Sequence, residues 1–88
     1  MAYSVFLAPA AERQLKKLPP QIKQQIVPVL QGLASEPRPS GAIKLKGADN
    51  VWRVRTGSYR ILYQIEDKKL TVLVLKIDHR RQAYKNDS

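Results

Sequence analysis

The sequence predicts an α+β fold in which an N-terminal strand and a helical hairpin pack on one face of a mainly antiparallel sheet of about four strands. Three observations carry that expectation. Apolar residues recur at helical spacing as far as residue 33, prolines divide that region in two, and from residue 43 the chain turns to short runs rich in β-branched and aromatic residues. With 88 residues, 43% of them hydrophobic, there is enough apolar surface for one core and too little for two. Residues 1–88 are therefore expected to form a single domain.

Residues 3–7 read as the first strand. Ala11, Leu15 and Leu18 follow at i, i+4 and i+7 with Glu12, Arg13, Lys16 and Lys17 between them, the stripe of a short amphipathic helix begun near Pro9 and stopped at Pro19 and Pro20. Pro20 can open a second helix, because its missing N–H would be unpaired in a first turn anyway, and Ile22, Ile26, Val29, Leu30 and Leu33 continue at helical spacing. Pro28 is expected to kink that helix or split it. Two prolines and a glycine in residues 36–41 then make a loop. The β-type runs are residues 43–46, 51–56, 59–66 and 69–77, punctuated by Gly57-Ser58 and Asp67-Lys68, which reads as an antiparallel meander.

Composition narrows the function. There are no cysteines, so neither disulfides nor a thiolate metal site is available, and one histidine with scattered acids gives no set of metal ligands that can be placed. No cofactor is expected. No run approaches the roughly 18 apolar residues of a membrane span, and the N-terminus lacks the charged-then-apolar layout of a signal peptide. A soluble, cytoplasmic protein with no membrane role is the expectation. Sixteen Lys and Arg against seven Asp and Glu give a net charge of +9, a field that attracts polyanions and favours nucleic acid as partner over a merely solubilising charge.

The charge has a pattern. Residues 1–40 carry +3 and residues 41–88 carry +6. In Val51-Trp52-Arg53-Val54-Arg55-Thr56, alternation puts Arg53 and Arg55 on one face, roughly 7 Å apart, and Trp52 and Val54 on the other. If Gly57-Ser58 is a two-residue turn, Arg60 lies directly across from Arg55 and three arginines form one patch, while Trp52, Val54, Tyr59, Ile61, Tyr63, Leu70, Val72 and Val74 supply the core face. Like charges across a strand pair destabilise by up to about 1 kcal/mol. Solvated arginines on an outer sheet face, shared with Leu62, Leu73 and Leu75, are the bland alternative. A bound anion accounts better for the triad, since the planar fork of arginine suits phosphate.

The stretch from Val51 to Tyr63, with the pattern aromatic, basic, apolar, basic, then Gly57, Tyr59-Arg60, an apolar pair and Tyr63, resembles the RelE/ParE superfamily of bacterial toxins. Ile43-Lys44-Leu45-Lys46-Gly47 and Lys76-Ile77-Asp78-His79-Arg80-Arg81-Gln82-Ala83-Tyr84 resemble the segments before and after it, and the likeness runs nearly end to end. The resemblance implies a RelE-like fold and the toxin of a toxin–antitoxin pair. It further implies a metal-independent, ribosome-dependent endoribonuclease that cleaves mRNA, and a cognate antitoxin forming a hetero-oligomer with it. The family's basic pair falls on Arg53 and Arg55, its strand arginine on Arg60, its arginine after the last strand on Arg80 and its C-terminal tyrosine on Tyr84. Some members carry lysines where this chain has Arg53 and Arg55, so a mechanism that needs a neutral lysine as base does not fit here. The ParE branch shares the fold but inhibits DNA gyrase; it generally lacks the full basic and tyrosine set.

Cutting RNA without a metal requires activating a ribose 2′-OH, stabilising charge on the attacked phosphate and protonating the leaving 5′-oxygen. Arginine stays protonated and suits charge stabilisation, for which Arg55 and Arg60 are the first candidates. Tyr84 either acts as a base, its phenolate favoured by nearby arginines, or stacks on a splayed base. His79 is a proton donor or a solvated strand-end residue, and Lys44, Lys46, His79 and Arg81 are RNA or ribosome contacts or exposed charges. A gyrase inhibitor and a non-catalytic RNA-binding module are the alternatives to the nuclease.

Overall fold

The computed structural model describes residues 2–79. Strand β1 (Ser4–Leu7) leads into helices α1 (Pro9–Lys17) and α2 (Pro20–Ser35), and four strands follow: β2 (Ile43–Lys44), β3 (Val51–Thr56), β4 (Tyr59–Glu66) and β5 (Thr71–His79). The sheet has the order β1-β5-β4-β3-β2, so it holds five strands rather than about four, with β1 parallel to β5 and every other pair antiparallel. The helices thus carry the chain from one edge of the sheet to the other. The expected α+β architecture holds.

Proline sets the helix limits. Pro9 and Pro20 each occupy a first turn, where a missing N–H costs nothing, and Pro19 separates the two helices. Helix α2 is not split at Pro28. That proline is exposed, so water can reach the carbonyl that its ring leaves without a helical donor. Ala11 from α1 and Ile26, Leu30 and Leu33 from α2 close over Val54, Ile61, Tyr63, Ile65, Val72, Val74 and Ile77 of the sheet. Trp52 and Tyr59 pack against this cluster half-buried.

Two departures from the sequence reading matter. The turn between β4 and β5 takes four residues, with Lys69 N donating to Glu66 O and Leu70 N to Asp67 O. Leu70, expected on the core face, instead sits in that turn at φ +53° and 36% exposed. The second departure is a bulge. Leu62 pairs with Lys76 but Tyr63 pairs with Val74, so one extra residue lies on β5 and the alternation of that strand reverses beyond it. Val72 and Val74 face the helices before the bulge, and Ile77 and His79 do so after it.

The loop after α2 is tied to the sheet. The Tyr63 hydroxyl donates to the carbonyl of Pro37 at 2.7 Å, and burial pushes that hydroxyl's pKa up to about 12. Beside it, Arg38 grips Asp67 through both guanidinium nitrogens at 3.2 and 2.8 Å, Tyr3 donates to the same carboxylate at 2.7 Å, and Arg38 lies 5.3 Å from the Trp52 ring centroid. Arg38 and Tyr3 hold the Asp67 carboxyl below its ordinary pKa. Tyr63→Phe leaves the Pro37 carbonyl buried without its donor. It is expected to cost about 1 kcal/mol, or a melting temperature lower by about 4–8 °C. An unchanged thermal melt would show that the bond contributes nothing net.

Candidate nucleic-acid interface

The site is built on the β3–β4 hairpin. Gly57 takes φ +58°, a conformation that favours glycine, and a Cβ there would run into the side-chain amide of Gln25 on α2. Gln25 also donates to Thr56 Oγ1 at 3.2 Å, fixing the turn end of the hairpin to the helices. This two-residue turn sets the register: Thr56 pairs with Tyr59, Arg55 with Arg60, Val54 with Ile61 and Arg53 with Leu62. Arg53, Arg55 and Arg60 therefore share the face turned away from the helices, as the sequence pattern predicts.

The bulge enlarges this face. Because it reverses the alternation of β5, Lys76 comes opposite Leu62 and Asp78 opposite Arg60, so both join the arginines. Arg55, Arg60 and Asp78 form one row across three strands, and Arg53, Leu62 and Lys76 form the next. Lys76 Nζ lies 3.3 Å from Asp78 Oδ2. Sequence reading missed both residues, although the shift of apolar parity from Val72 and Val74 to Ile77 was a legible sign of the bulge.

Asp78 is anchored from the helix layer as well. Strand β1 pairs only with Thr71–Val74, so among the described residues no strand covers the edge of β5 beyond Val74. Gln14 of α1 reaches that edge, its Oε1 accepting from Ile77 N at 2.8 Å and its Nε2 donating to Asp78 Oδ1 at 3.2 Å.

Other candidates lie elsewhere. Lys44 pairs with Trp52 and so belongs to the helix-side face, exposed on the edge strand, while Lys46 is exposed in the loop that follows. His79 also faces the helix side, its ring edge-on to Tyr59 at 5.1 Å, where Gln14, Lys17, Leu18, Pro19 and Ile77 complete a shallow cleft. Arg80, Arg81 and Tyr84 lie outside the described residues. Of the tyrosines within them, Tyr63 has its hydroxyl engaged in the core and Tyr3 has its pKa raised by the bond to Asp67, so neither suits the role of a ready phenolate. Among the described residues no group of three or more His, Asp or Glu could hold a metal ion, and no helix is long and apolar enough to cross a membrane.

The chain and its helix-backed sheet have relatives among known proteins. Residues 5–84 match the family described as the ParE toxin of type II toxin–antitoxin system, parDE. The chain belongs to this toxin family. Within the family its similarities run to RelE-named members. It is 37% identical to toxin RelG of Mycobacterium tuberculosis over 86 residues, 97% of this chain and 99% of that one. It is 28% identical to the mRNA interferase toxin RelE of Escherichia coli, over 94% of this chain and 88% of the relative. In structure it superposes on a chain of the M. tuberculosis RelBE2 toxin–antitoxin complex with a TM-score of 0.79 at 35% identity, covering 91% of this chain and all of that one. The toxin family and its RelE-like fold are thus established for this chain.

Proposed function

We propose that this protein is a ribosome-dependent mRNA endonuclease, restrained by a cognate antitoxin in a hetero-oligomeric complex and active in the cytoplasm. The observation that carries the reading is the cross-strand pair of Arg55 and Arg60 with Arg53 beside it on the sheet face turned away from the helices. Folding alone gains nothing from opposing like charges. A phosphate diester passing through a more highly charged transition state does gain from two converging guanidinium groups. The similarity to an E. coli protein named an mRNA interferase supports the same reading.

In this proposal the ribose 2′-oxygen attacks the adjacent phosphorus and the P–O5′ bond breaks, leaving a 2′,3′-cyclic phosphate and a 5′-oxygen that takes a proton from water; Arg55 and Arg60 stabilise the non-bridging oxygens, and Arg53 and Arg80 hold the flanking phosphate. Tyr84 either takes the 2′-OH proton or stacks on a displaced base. Lys44, Lys46, His79 and Arg81 contact ribosomal RNA around the site. Because Lys44 and His79 belong to the other face, their contribution is to docking rather than to the reacting phosphate. The antitoxin, as in the M. tuberculosis RelBE2 complex, is a protein bound to the toxin; an acidic or amphipathic segment of it suits the arginine face or the position of the C-terminal segment.

The family description also covers the ParE name, so a gyrase inhibitor is the second reading. Mapping message ends after brief induction, with and without translating ribosomes, separates them. Cleaved messages that require ribosomes are expected. Intact messages accompanied by DNA damage would replace the nuclease with the gyrase reading.

A further inference from the structure

We propose that Asp78 is a positioning residue of the arginine face, whose fixed carboxylate sets the direction of the Arg60 guanidinium. The inference rests on the nuclease reading for its kinetic consequence and on the sheet register for its geometry. Among the described residues Asp78 is the only buried charged side chain, 8% exposed, whereas Glu12, Glu36, Asp49, Glu66 and Asp67 are all exposed. It stands directly across β4–β5 from Arg60, which stands directly across β3–β4 from Arg55. Cross-strand partners have Cβ atoms roughly 5 Å apart, so the row reads cation, cation, anion at close spacing.

Burying a carboxylate is costly unless its oxygens are satisfied, and here both are. Gln14 donates to Oδ1 at 3.2 Å and Lys76 stands 3.3 Å from Oδ2. Gln14 is itself locked by the Ile77 amide at 2.8 Å. The carboxylate is therefore a stationary charge, and it lies on this face only because of the bulge in β5. A buried ion pair adds little stability beyond what a hydrophobic substitute would give. What a stationary anion does add is direction: standing directly across the strand pair, its charge attracts the Arg60 guanidinium toward β5 and away from Arg55. Asp78 then acts through Arg60 and need not touch RNA.

The test is Asp78→Asn, which keeps the size of the side chain and an oxygen for Gln14 but removes the charge. Single-turnover cleavage on ribosomes is expected to fall roughly tenfold, the scale of a misaligned catalytic group, with ribosome affinity unchanged or slightly higher because the face becomes more positive. In an Arg60→Ala background the same substitution should have no further effect on rate. A merely structural role would instead lower both rate and affinity and would add to the Arg60 loss. Cleavage by Asp78→Asn at the wild-type rate, or a full additional loss in the Arg60→Ala background, overturns the inference. A second readout needs no cleavage: the Arg60 side-chain Nε–H resonance of the unbound chain in nitrogen-15 spectra should move in Asp78→Asn. If it does not move, Asp78 does not orient Arg60, whatever the chain does to RNA. If wild-type chain cuts no message, the nuclease reading fails while this resonance still decides the role of Asp78. Gln14→Ala, which releases one carboxylate oxygen and leaves the charge, should move the same resonance in the folded chain and serves if Asp78→Asn does not fold; an unmoved resonance there counts equally against the proposal.

Discussion

Arg60→Ala is expected to lower the single-turnover rate of ribosome-bound message cleavage by a factor on the order of 10² or more, and ribosome affinity only by the much smaller contribution of one phosphate contact. Charge on the non-bridging oxygens grows as the 2′-oxygen attacks, so a guanidinium aimed there lowers the barrier by more than it strengthens ground-state binding. Arg60 is suited to this because its strand is central, paired on one side with Arg55 and on the other with Asp78, and its neighbour Ile61 is fully buried. Tyr84→Phe is expected to have an effect of the same order if its hydroxyl moves the proton. Lys44→Ala should do the reverse, weakening binding modestly and leaving the bound rate nearly intact, in keeping with its place on the opposite, exposed face. Rapid-quench cleavage at saturating ribosomes, beside equilibrium binding, separates the two parameters. If Arg60→Ala and Tyr84→Phe bind and cut like the wild type, the catalytic site is not on this face.

The arginine pair was legible because its cause is local. A glycine with positive φ in a two-residue turn fixes which residues oppose one another for the length of the hairpin, and period-two alternation does the rest. The helix limits were legible for the same reason, since proline acts on its own turn. What stayed hidden depends on contacts distant in sequence. The two-residue strand β2 joins β3 through residues 45–50, a connection too long for its composition to set the register, so nothing near Lys44 announces that it pairs with Trp52 and not Arg53. The turn at Asp67–Leu70 takes four residues where the sequence predicts two, because Asp67-Lys68 is an adequate turn pair by composition alone. The bulge moved Lys76, Asp78 and His79 relative to simple alternation. Its trace lay in the apolar pattern of β5, where Ile77 breaks step with Val72 and Val74 to reach the core. The same event that hid Asp78 from the sequence reading is what brings it to Arg60.

Ribosome binding should weaken steeply with salt, and the slope should separate arginines that meet phosphate from a lysine that does not. Each phosphate contact releases counterions and contributes roughly −0.7 to −0.9 to the slope of log affinity against log salt. Three contacts, from Arg53, Arg55 and Arg60, give a slope between about −2 and −3, so raising salt from about 50 to about 200 mM should cost roughly 20- to 40-fold in affinity from this face alone. Lys76 belongs to the same face, but its ammonium is 3.3 Å from the carboxylate of Asp78, and exchanging that partner for a phosphate gains little. Arg55→Ala should therefore reduce the magnitude of the slope by about one, while Lys76→Met should leave it nearly unchanged. Binding measured across a salt series for the three proteins decides the matter. A wild-type affinity that does not respond to salt would remove phosphate contact as the source of binding. Equal slope changes for Arg55→Ala and Lys76→Met would mean that the Lys76–Asp78 pair opens on the ribosome, and that the face presents four cations to RNA instead of three.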